Sequence, residues 1–162
     1  MKKEPPPLVP GDEAPAFSLR DQHGLPCSLA SLRGKHVVVF FVHDPGNTGA
    51  IKQSHGFKEQ YRALKALQGE VVGISDRPKE ENALLVNKVG LPFRVLSDET
   101  RDTVKAYGAW KPTSGKQGRW SGVNPATVLV DPEGRVARCW FRVHSMDAHA
   151  AQVVGALKEL AG

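Results

Sequence analysis

Cysteine and long apolar runs are the two features that this sequence has least of. Its 162 residues include only two cysteines, Cys27 and Cys139, which lie far apart in the chain. Two such cysteines do not make the framework of a disulfide-stabilised secreted domain. The chain also has no apolar run long enough for a signal peptide or a membrane span. We therefore expect a cytoplasmic protein that makes no use of a membrane.

Charge and repetition do not point to a special class of protein either. The net charge is +5, but the basic residues are interspersed with acidic ones, as on an ordinary solvated surface. A hydrophobic content of 40% suits one globular domain, and no internal repeat is visible. We predict a flexible tail over residues 1–10, which are rich in proline, and a single domain over residues 11–162.

One segment combines basic and aromatic residues. Lys111–Arg119 is the densest basic run, and Trp110 and Trp120 flank it. Such a composition can bind nucleic acid. The proline, serine and glycine within the run favour a surface loop instead, with the tryptophans anchoring its two ends to the core. We therefore predict no nucleic-acid partner.

The stretch from Lys35 to Leu67 organises the rest of the chain. Val37–Val42 is apolar at every position, which is typical of a strand covered on both faces in a parallel sheet. A turn follows over His43–Asn47, and Thr48 can cap a helix. The core stripe of that helix reads Phe57, Tyr61, Leu64 and Leu67. The strand thus leads to a helix N-terminus, where the dipole favours negative charge and lowers the pKa of a thiol.

The remaining pattern predicts strands that alternate with helices. The predicted strands are Phe17–Arg20, Pro26–Leu29, Glu70–Ser75, Phe93–Leu96, Ala126–Asp131 and Arg135–Val143. The predicted helices are Pro78–Val89, Thr100–Tyr107 and a final helix capped by Ser145 or Asp147, with Val153, Val154, Leu157 and Leu160 inward. The first two strands form a hairpin. The fold class is therefore α/β, a mixed sheet flanked by helices.

Several pieces of the chain carry a family resemblance, in order and with ordinary spacings. They are GDEAPAFSLRDQHG, SLASLRGKHVVVFF, FKEQYRALK, VVGISDRPKE, FRVLSDET, YGAW and TVLVDPEGRV. From about Pro7 onward the chain resembles a peroxiredoxin of the bacterioferritin-comigratory type, a PrxQ-like redoxin of the AhpC/TSA group. This resemblance implies a thioredoxin-like fold with an N-terminal β-hairpin and the activity of a thiol peroxidase.

The catalytic positions implied by this resemblance hold other residues. The family loop reads Pro-x-x-x-Thr-x-x-Cys, and it aligns with His43, Asn47 and Ala50, with Thr48 and Gly49 between the last two. The peroxidatic cysteine position is thus Ala50. The second cysteine used by many members falls at His55.

The family arginine falls at Pro125, just before the strand TVLV. Peroxide reduction needs a thiolate as nucleophile and a cation that polarises the peroxide, and alanine offers no lone pair. We therefore interpret the chain as a redoxin scaffold that has lost its peroxidase chemistry. It would act as a binding or regulatory protein without a cofactor, as a monomer or dimer, with a protein or small-molecule partner at the former active-site surface.

Pro125 also has a second interpretation. Asn124-Pro125-Ala126-Thr127 resembles the segment of thioredoxin-like reductases in which a cis-proline precedes a strand. This likeness favours a cis bond before Pro125, although few such bonds are cis in general. The Cys-x-x-Cys of those enzymes would fall at Asn47 to Ala50. A degenerate reductase is therefore a further alternative.

Other reactive side chains leave two more possibilities open. Cys27 and Cys139 are expected as buried inert thiols, with Ala137 and Phe141 on the face of Cys139, but either thiol could support residual peroxide reduction. His43, Asp44 and His55 are the residue types of a metal site without a fixed spacing motif. We expect histidines that fill the vacated pocket rather than a metal.

Overall fold

A computed structural model describes residues 8–112, 121–143 and 145–161. Its strands are β1 (Ser18–Arg20), β2 (Pro26–Ser28), β3 (His36–Phe41), β4 (Gly69–Ser75), β5 (Arg94–Ser97), β6 (Trp110–Pro112), β7 (Ser121–Val123), β8 (Thr127–Val130) and β9 (Val136–Trp140). Its helices are α1 (Thr48–Ala66), α2 (Lys79–Val89), α3 (Asp102–Ala106) and α4 (Met146–Ala161). A short 3-10 turn covers Ala30–Leu32.

A seven-stranded mixed sheet in the order β2-β1-β5-β4-β3-β8-β9 forms the centre of the molecule. Strands β3, β4 and β5 are parallel, whereas β8 pairs antiparallel with β3 and β9 with β8. The parallel strands are apolar because both faces of the sheet are covered. All residues of β3 after His36 are buried, as the unbroken apolar run predicted.

Two apolar clusters lie on opposite faces of this sheet. Val37, Val39 and Phe41 belong to the cluster that the N-terminal hairpin and Val104 of α3 complete. Val38 and Phe40 belong to the other cluster, which contains residues of α1, α2 and α4. The side chains of β3 therefore alternate between two cores, as the period of a strand requires.

Most predicted elements are confirmed within a residue or two, including the hairpin and the alternation of strands with helices. Helix α2 ends at Gly90 in the left-handed conformation, as its sequence predicted. The cap of α1 was predicted one residue too late. Asn47 rather than Thr48 caps the helix, because its side chain accepts a hydrogen bond from the Gly49 amide at 2.7 Å.

Two predictions about inward faces need correction. Leu160 was expected in the core, but it is 40% exposed because it lies in the last turn of α4. Ala137 was expected on the face of Cys139 and Phe141. A bulge opposite Leu129 and Val130 shifts the register of β9, and Ala137 packs in the other cluster. The pair β6–β7 was not predicted.

The predicted tail and the predicted basic loop are only partly described. Leu8 packs against the first apolar cluster, whereas residues 1–7 lie outside the described part. Trp110 also packs against that cluster, as expected, with the guanidinium carbon of Arg101 at 4.7 Å from its ring centroid. Residues 113–120, which hold most of the basic run and Trp120, lie outside the described part. Among the described helices, none has the length and apolarity that crossing a membrane requires.

Candidate functional site

Helix α1 begins directly after the buried strand β3. The Val42 amide bonds to Ile74 of β4 at 2.8 Å, so the sheet continues to the edge of the loop. After the turn and the Asn47 cap, Ala50 lies in the first turn of α1. Its methyl group is only 3% exposed and belongs to the apolar cluster that contains Val42. The residue that the sequence resemblance predicted at the peroxidatic position is thus a packed alanine at a helix N-terminus.

Pro125 reaches the same edge of the sheet. Phe40 pairs with Thr127 in the antiparallel ladder, and the Phe41 amide bonds to Ala126 at 2.9 Å. Continuing this register places Pro125 beside Val42, just before the loop. The topology therefore brings together the aligned positions of the loop and of β8.

The prediction of a cis bond before Pro125 is wrong. Every peptide bond between described residues is trans. Hydrogen bonds on both sides hold Asn124, since its amide bonds to Ala109 at 2.6 Å and its side chain to Phe141 at 2.8 Å. Asn124 makes both hydrogen bonds with a trans bond before Pro125. This segment therefore does not have the cis-proline geometry expected from the likeness to the reductases.

The side chain of His43 connects the loop after β3 to strand β7. Its Nδ1 lies 3.0 Å from the carbonyl oxygen of Val123. The ring also lies against Gly122, where an added Cβ would stand 2.8 Å from His43 Cε1. Only glycine permits this approach. His43 is therefore half-buried, with its ring against β7.

His55 behaves differently from His43. Its side chain is 55% exposed and pairs with Glu59 one turn later at 3.2 Å. It lies at a shallow groove between α1 and α4, of about 260 Å³, together with Lys52, Glu59, Gln60, Ala150 and Ala151. The expectation that His55 helps to fill the pocket is wrong, because its helical position directs it to solvent. Among the described residues no group of three His, Cys, Asp or Glu side chains could hold a metal, and His43, Asp44 and His55 form no such group.

Polar side chains whose burial was not predicted from the sequence lie on the inner faces of α1 and α4. Gln53 and Ser54 are 1% and 0% exposed, and their polar side-chain atoms have no hydrogen-bond partner among the described residues. They follow Ala50 by three and four residues and precede Phe57, so they share the buried face of α1. That helical spacing was the signal in the sequence.

His149, on α4, is a third buried polar residue whose burial was not predicted. It is 2% exposed, and its Nε2 lies 2.8 Å from the Thr127 hydroxyl. The rings of Phe57 and Trp140 meet it edge-on at 5.9 Å and 5.6 Å. Burial lowers the pKa of His149, and a weaker hydrogen bond with Gln152 acts in the opposite direction. His149 precedes Val153 by one turn, so the apolar stripe of α4 could have identified it.

Both thiols lie away from this edge. Cys27, on β2, is 3% exposed, and Cys139, on β9, is half-buried. The Cys139 sulfur is 3.4 Å from the Leu8 carbonyl. Burial raises the pKa of the Cys139 thiol, and the Asp12 carboxylate raises it further. Cys139 is therefore held as a neutral thiol.

These features define a thioredoxin-like α/β fold, with the candidate site where β3 meets α1. A peroxidoxin structure from Mycobacterium tuberculosis, named BcpB, superposes with a TM-score of 0.85 at 26% identity, over 94% of this chain and 98% of that chain. A PrxQ structure from Xylella fastidiosa superposes with a TM-score of 0.89 at 20% identity, over 98% and 100% of the two chains, and shows the fold alone. The predicted fold class, with its mixed sheet and N-terminal hairpin, is confirmed.

The AhpC/TSA family matches residues 10–139, and the chain belongs to this family. A putative peroxiredoxin of Coxiella burnetii is 31% identical over 147 residues, which cover 91% of this chain and 97% of the relative. Peroxiredoxin Bcp of Escherichia coli is 30% identical over 153 residues, which cover 94% and 97%. The family predicted from the sequence motifs is thus confirmed.

Proposed function

We propose that this member of the AhpC/TSA family does not act as a thiol peroxidase at its α1 site. It acts there instead as a cytoplasmic binding or regulatory protein. The observation that carries the proposal is the packed Ala50 methyl at the position where the family alignment expects the peroxidatic sulfur. Without a nucleophile at this helix N-terminus, no sulfenic acid can form there.

The neighbouring positions support the same conclusion. Pro125 brings no cation to the edge where the family alignment expects arginine. His43, at the aligned proline, bonds to Val123 and fills part of the space beside the loop. A lone substitution of the nucleophile would leave the electrostatic part of the site in place. Here the nucleophile, the cation and the shielding residue differ together.

The surface between α1 and α4 is suited to binding. The groove between α1 and α4 presents Lys52 and Glu59, of opposite charge, with His55 beside them over a floor of small residues. Such a mixed groove can hold a polar small molecule or a peptide segment. Fragment binding followed by NMR should give shifts at Lys52, Glu59 and Ala151 that His55→Ala reduces. Shifts confined to other surfaces would contradict this assignment.

A turnover assay tests the catalytic half of the proposal. We expect the wild-type chain to consume hydrogen peroxide or an alkyl hydroperoxide no faster than its Cys27→Ala/Cys139→Ala variant, in the presence of a thiol reductant. An active family member serves as the positive control. Turnover that disappears in the double variant would contradict the proposal.

That outcome would favour the second candidate, residual peroxide reduction by a remaining thiol. One observation supports Cys27 in this role, because Cys27 and Arg94 line one cavity, and Arg94 provides the cation that peroxide reduction needs. The raised pKa of Cys139 argues against the other thiol. The two single variants, Cys27→Ala and Cys139→Ala, separate these possibilities.

A further inference from the structure

A second concave feature lies at the opposite end of the central sheet. It is a cavity of about 230 Å³ at the amino ends of β4 and β5, whereas α1 begins beyond the carboxyl end of β3. Its lining includes Cys27, Lys35, Tyr61, Glu70, Phe93 and Arg94. The cavity therefore shares no residue with the aligned peroxidase positions, and it brings a thiol together with two cationic side chains.

The guanidinium of Arg94 is held in place by a buried carboxylate. Its Nε lies 3.5 Å from Oδ2 of Asp21, which is buried, and its own side chain is 48% exposed. The other oxygen of Asp21 accepts hydrogen bonds from the amides of His23 and Leu25 at 2.8 Å and 3.0 Å. Asp21 thus orients the guanidinium, and the exposed part of the guanidinium can still donate to a ligand.

Glu70 is the acidic residue of the cavity, but its own partners compensate its charge. Oε1 accepts from the Tyr61 hydroxyl at 2.8 Å and from the Val71 amide at 3.0 Å, while Lys65 Nζ lies 3.0 Å from Oε2. Burial alone would raise the pKa of Glu70, but these hydrogen bonds more than offset it, and the pKa lies below its usual value. Glu70 also attracts Arg94, but its own partners hold it, so Lys35 and the exposed part of Arg94 stay available to an anion.

The thiol of Cys27 forms part of the same wall. Arg94 lines the same cavity, and the neighbouring Cys27 sulfur is the largest cause of the raised pKa of Arg94. Cys27 is otherwise buried in the apolar cluster, and we expect a reagent to reach its sulfur from the cavity. An electrophile at this sulfur would thus meet Arg94 at once.

We propose that this cavity is a second ligand site, which takes small disulfides that carry a carboxylate and forms a mixed disulfide with Cys27. The carboxylate contacts Arg94 and Lys35, and one sulfur of the ligand meets Cys27. The Cys27 thiol gives its proton to solvent, and its sulfur attacks the nearer ligand sulfur. A new S–S bond forms, the ligand S–S bond breaks, and the departing half leaves as a thiolate with the electron pair.

The size and charge of the cavity define the class of ligand. Its volume equals that of roughly eight water molecules, which suits one half of a small aliphatic disulfide and excludes a folded peptide. Arginine pairs with carboxylates through two parallel hydrogen bonds, and lysine adds a second positive charge. A neutral disulfide of the same size would find the same space without these contacts.

Cys139 provides an internal control within the same molecule. Its sulfur lies near the Leu8 carbonyl, and the negative charge of Asp12 acts on it. A carboxylate-bearing reagent should therefore be repelled at Cys139 and attracted at Cys27. At each thiol, the rate with a charged reagent is divided by the rate with a neutral reagent. This division removes the intrinsic reactivity of the thiol from the comparison.

The experiment uses two matched probes, dithiodipropionate and hydroxyethyl disulfide, on the full chain under native conditions. Peptide mass spectrometry gives the rate of mixed-disulfide formation at each cysteine. We expect the ratio of the charged to the neutral probe to be about ten-fold higher at Cys27 than at Cys139. Equal ratios at the two cysteines, or modification of Cys27 only after denaturation, would overturn the proposal.

Variants assign the selectivity to the cavity. Arg94→Gln and Lys35→Gln should each lower the ratio at Cys27 and leave that at Cys139 unchanged, while Arg94→Lys should retain much of it. Arg77→Gln is the matched control, because Arg77 has a similar exposure and also pairs with a carboxylate, at the other end of β4. Lys35 is exposed, so its variant tests the proposal even if loss of Arg94 unfolds the chain. An unchanged ratio in Lys35→Gln together with Arg94→Gln would refute the site.

Discussion

The two ends of the parallel strands β3, β4 and β5 differ in what they offer to a thiol reaction. At the carboxyl end, the N-terminus of α1 provides a helix dipole, but Ala50 provides no sulfur and Pro125 no cation. At the amino end, Cys27 and Arg94 provide a sulfur and a cation without a helix N-terminus. The sheet thus separates groups that a thiol peroxidase must combine at one place.

Fold and chemistry are separable in general, because a function depends on the side chains of a site rather than on the scaffold that carries them. The AhpC/TSA scaffold keeps the path from β3 through the loop to α1, because buried apolar residues determine that path. The groups that could react with a substrate are individual side chains at the end of this path. Packing and catalysis can therefore be tested separately at the two ends.

The largest effect is expected for packing at the α1 end. Phe57 is fully buried and stacks on Phe40 at 4.8 Å between centroids. Phe57→Ala should lower the free energy of unfolding by about 3–5 kcal/mol. Leu84→Ala, at a residue 69% exposed on α2, is the control and should change it by less than about 0.5 kcal/mol. Similar effects of both changes in urea titrations would mean that the α1 end is not tightly packed.

Restoring the missing groups tests the α1 end chemically. Ala50→Cys alone should react only modestly with peroxide, because the helix N-terminus favours the thiolate but no cation polarises the peroxide. Adding Pro125→Arg should increase the rate by about 100-fold, the typical contribution of one electrostatic group in an active site. Stopped-flow peroxide consumption measures both variants, with Ala50→Ser/Pro125→Arg as the control. Equal rates for the single and double variants would show that the cation is not the missing part.

At the amino end, a smaller effect is expected for the hydroxyl that holds Glu70. Tyr61→Phe removes the 2.8 Å hydrogen bond to Glu70 and should lower the free energy of unfolding by about 1 kcal/mol. With one partner fewer, Glu70 should compete more for Arg94 and lower the probe ratio at Cys27. A variant with unchanged stability and an unchanged probe ratio would show that the Tyr61 hydroxyl does not hold Glu70 away from Arg94.

The smallest effect concerns pH and His149. Burial lowers the pKa of this imidazole from the model-compound value of 6.5, so the folded chain binds the proton less readily than the unfolded chain. Its contribution to stability is complete above pH 6.5 and is lost as pH falls toward the folded pKa. His149→Gln should flatten this part of the profile of unfolding free energy against pH.

His36 provides the comparison for that measurement. Burial also lowers its pKa, against the attraction of Asp131, so its contribution has the same sign. His36→Gln should remove a separate part of the pH dependence and leave the His149 part intact. A profile that His149→Gln leaves unchanged would show that the buried contact with Thr127 does not discriminate between the two charge states of the ring.

The sequence predicted the elements that depend on regular apolar patterns, such as the strand Val37–Val42. It did not predict that Gln53 and His149 are buried, because polar residues on a helix are ordinarily expected at the surface. It also did not predict the side on which Ala137 lies, since a bulge breaks the period of two. The aligned positions Ala50 and Pro125 could be named from motifs alone, whereas the cavity beside Cys27 depends on strands distant in sequence.

The most direct test of the central claim is the oxidation state of the two native thiols after one stoichiometric addition of hydrogen peroxide. A time course with a sulfenic-acid trap and peptide mass spectrometry records Cys27 and Cys139 separately. The account predicts that both remain thiols over the period in which an active family member is fully oxidised. Oxidation of Cys27 to a sulfenic acid at the rate of that active member would contradict it.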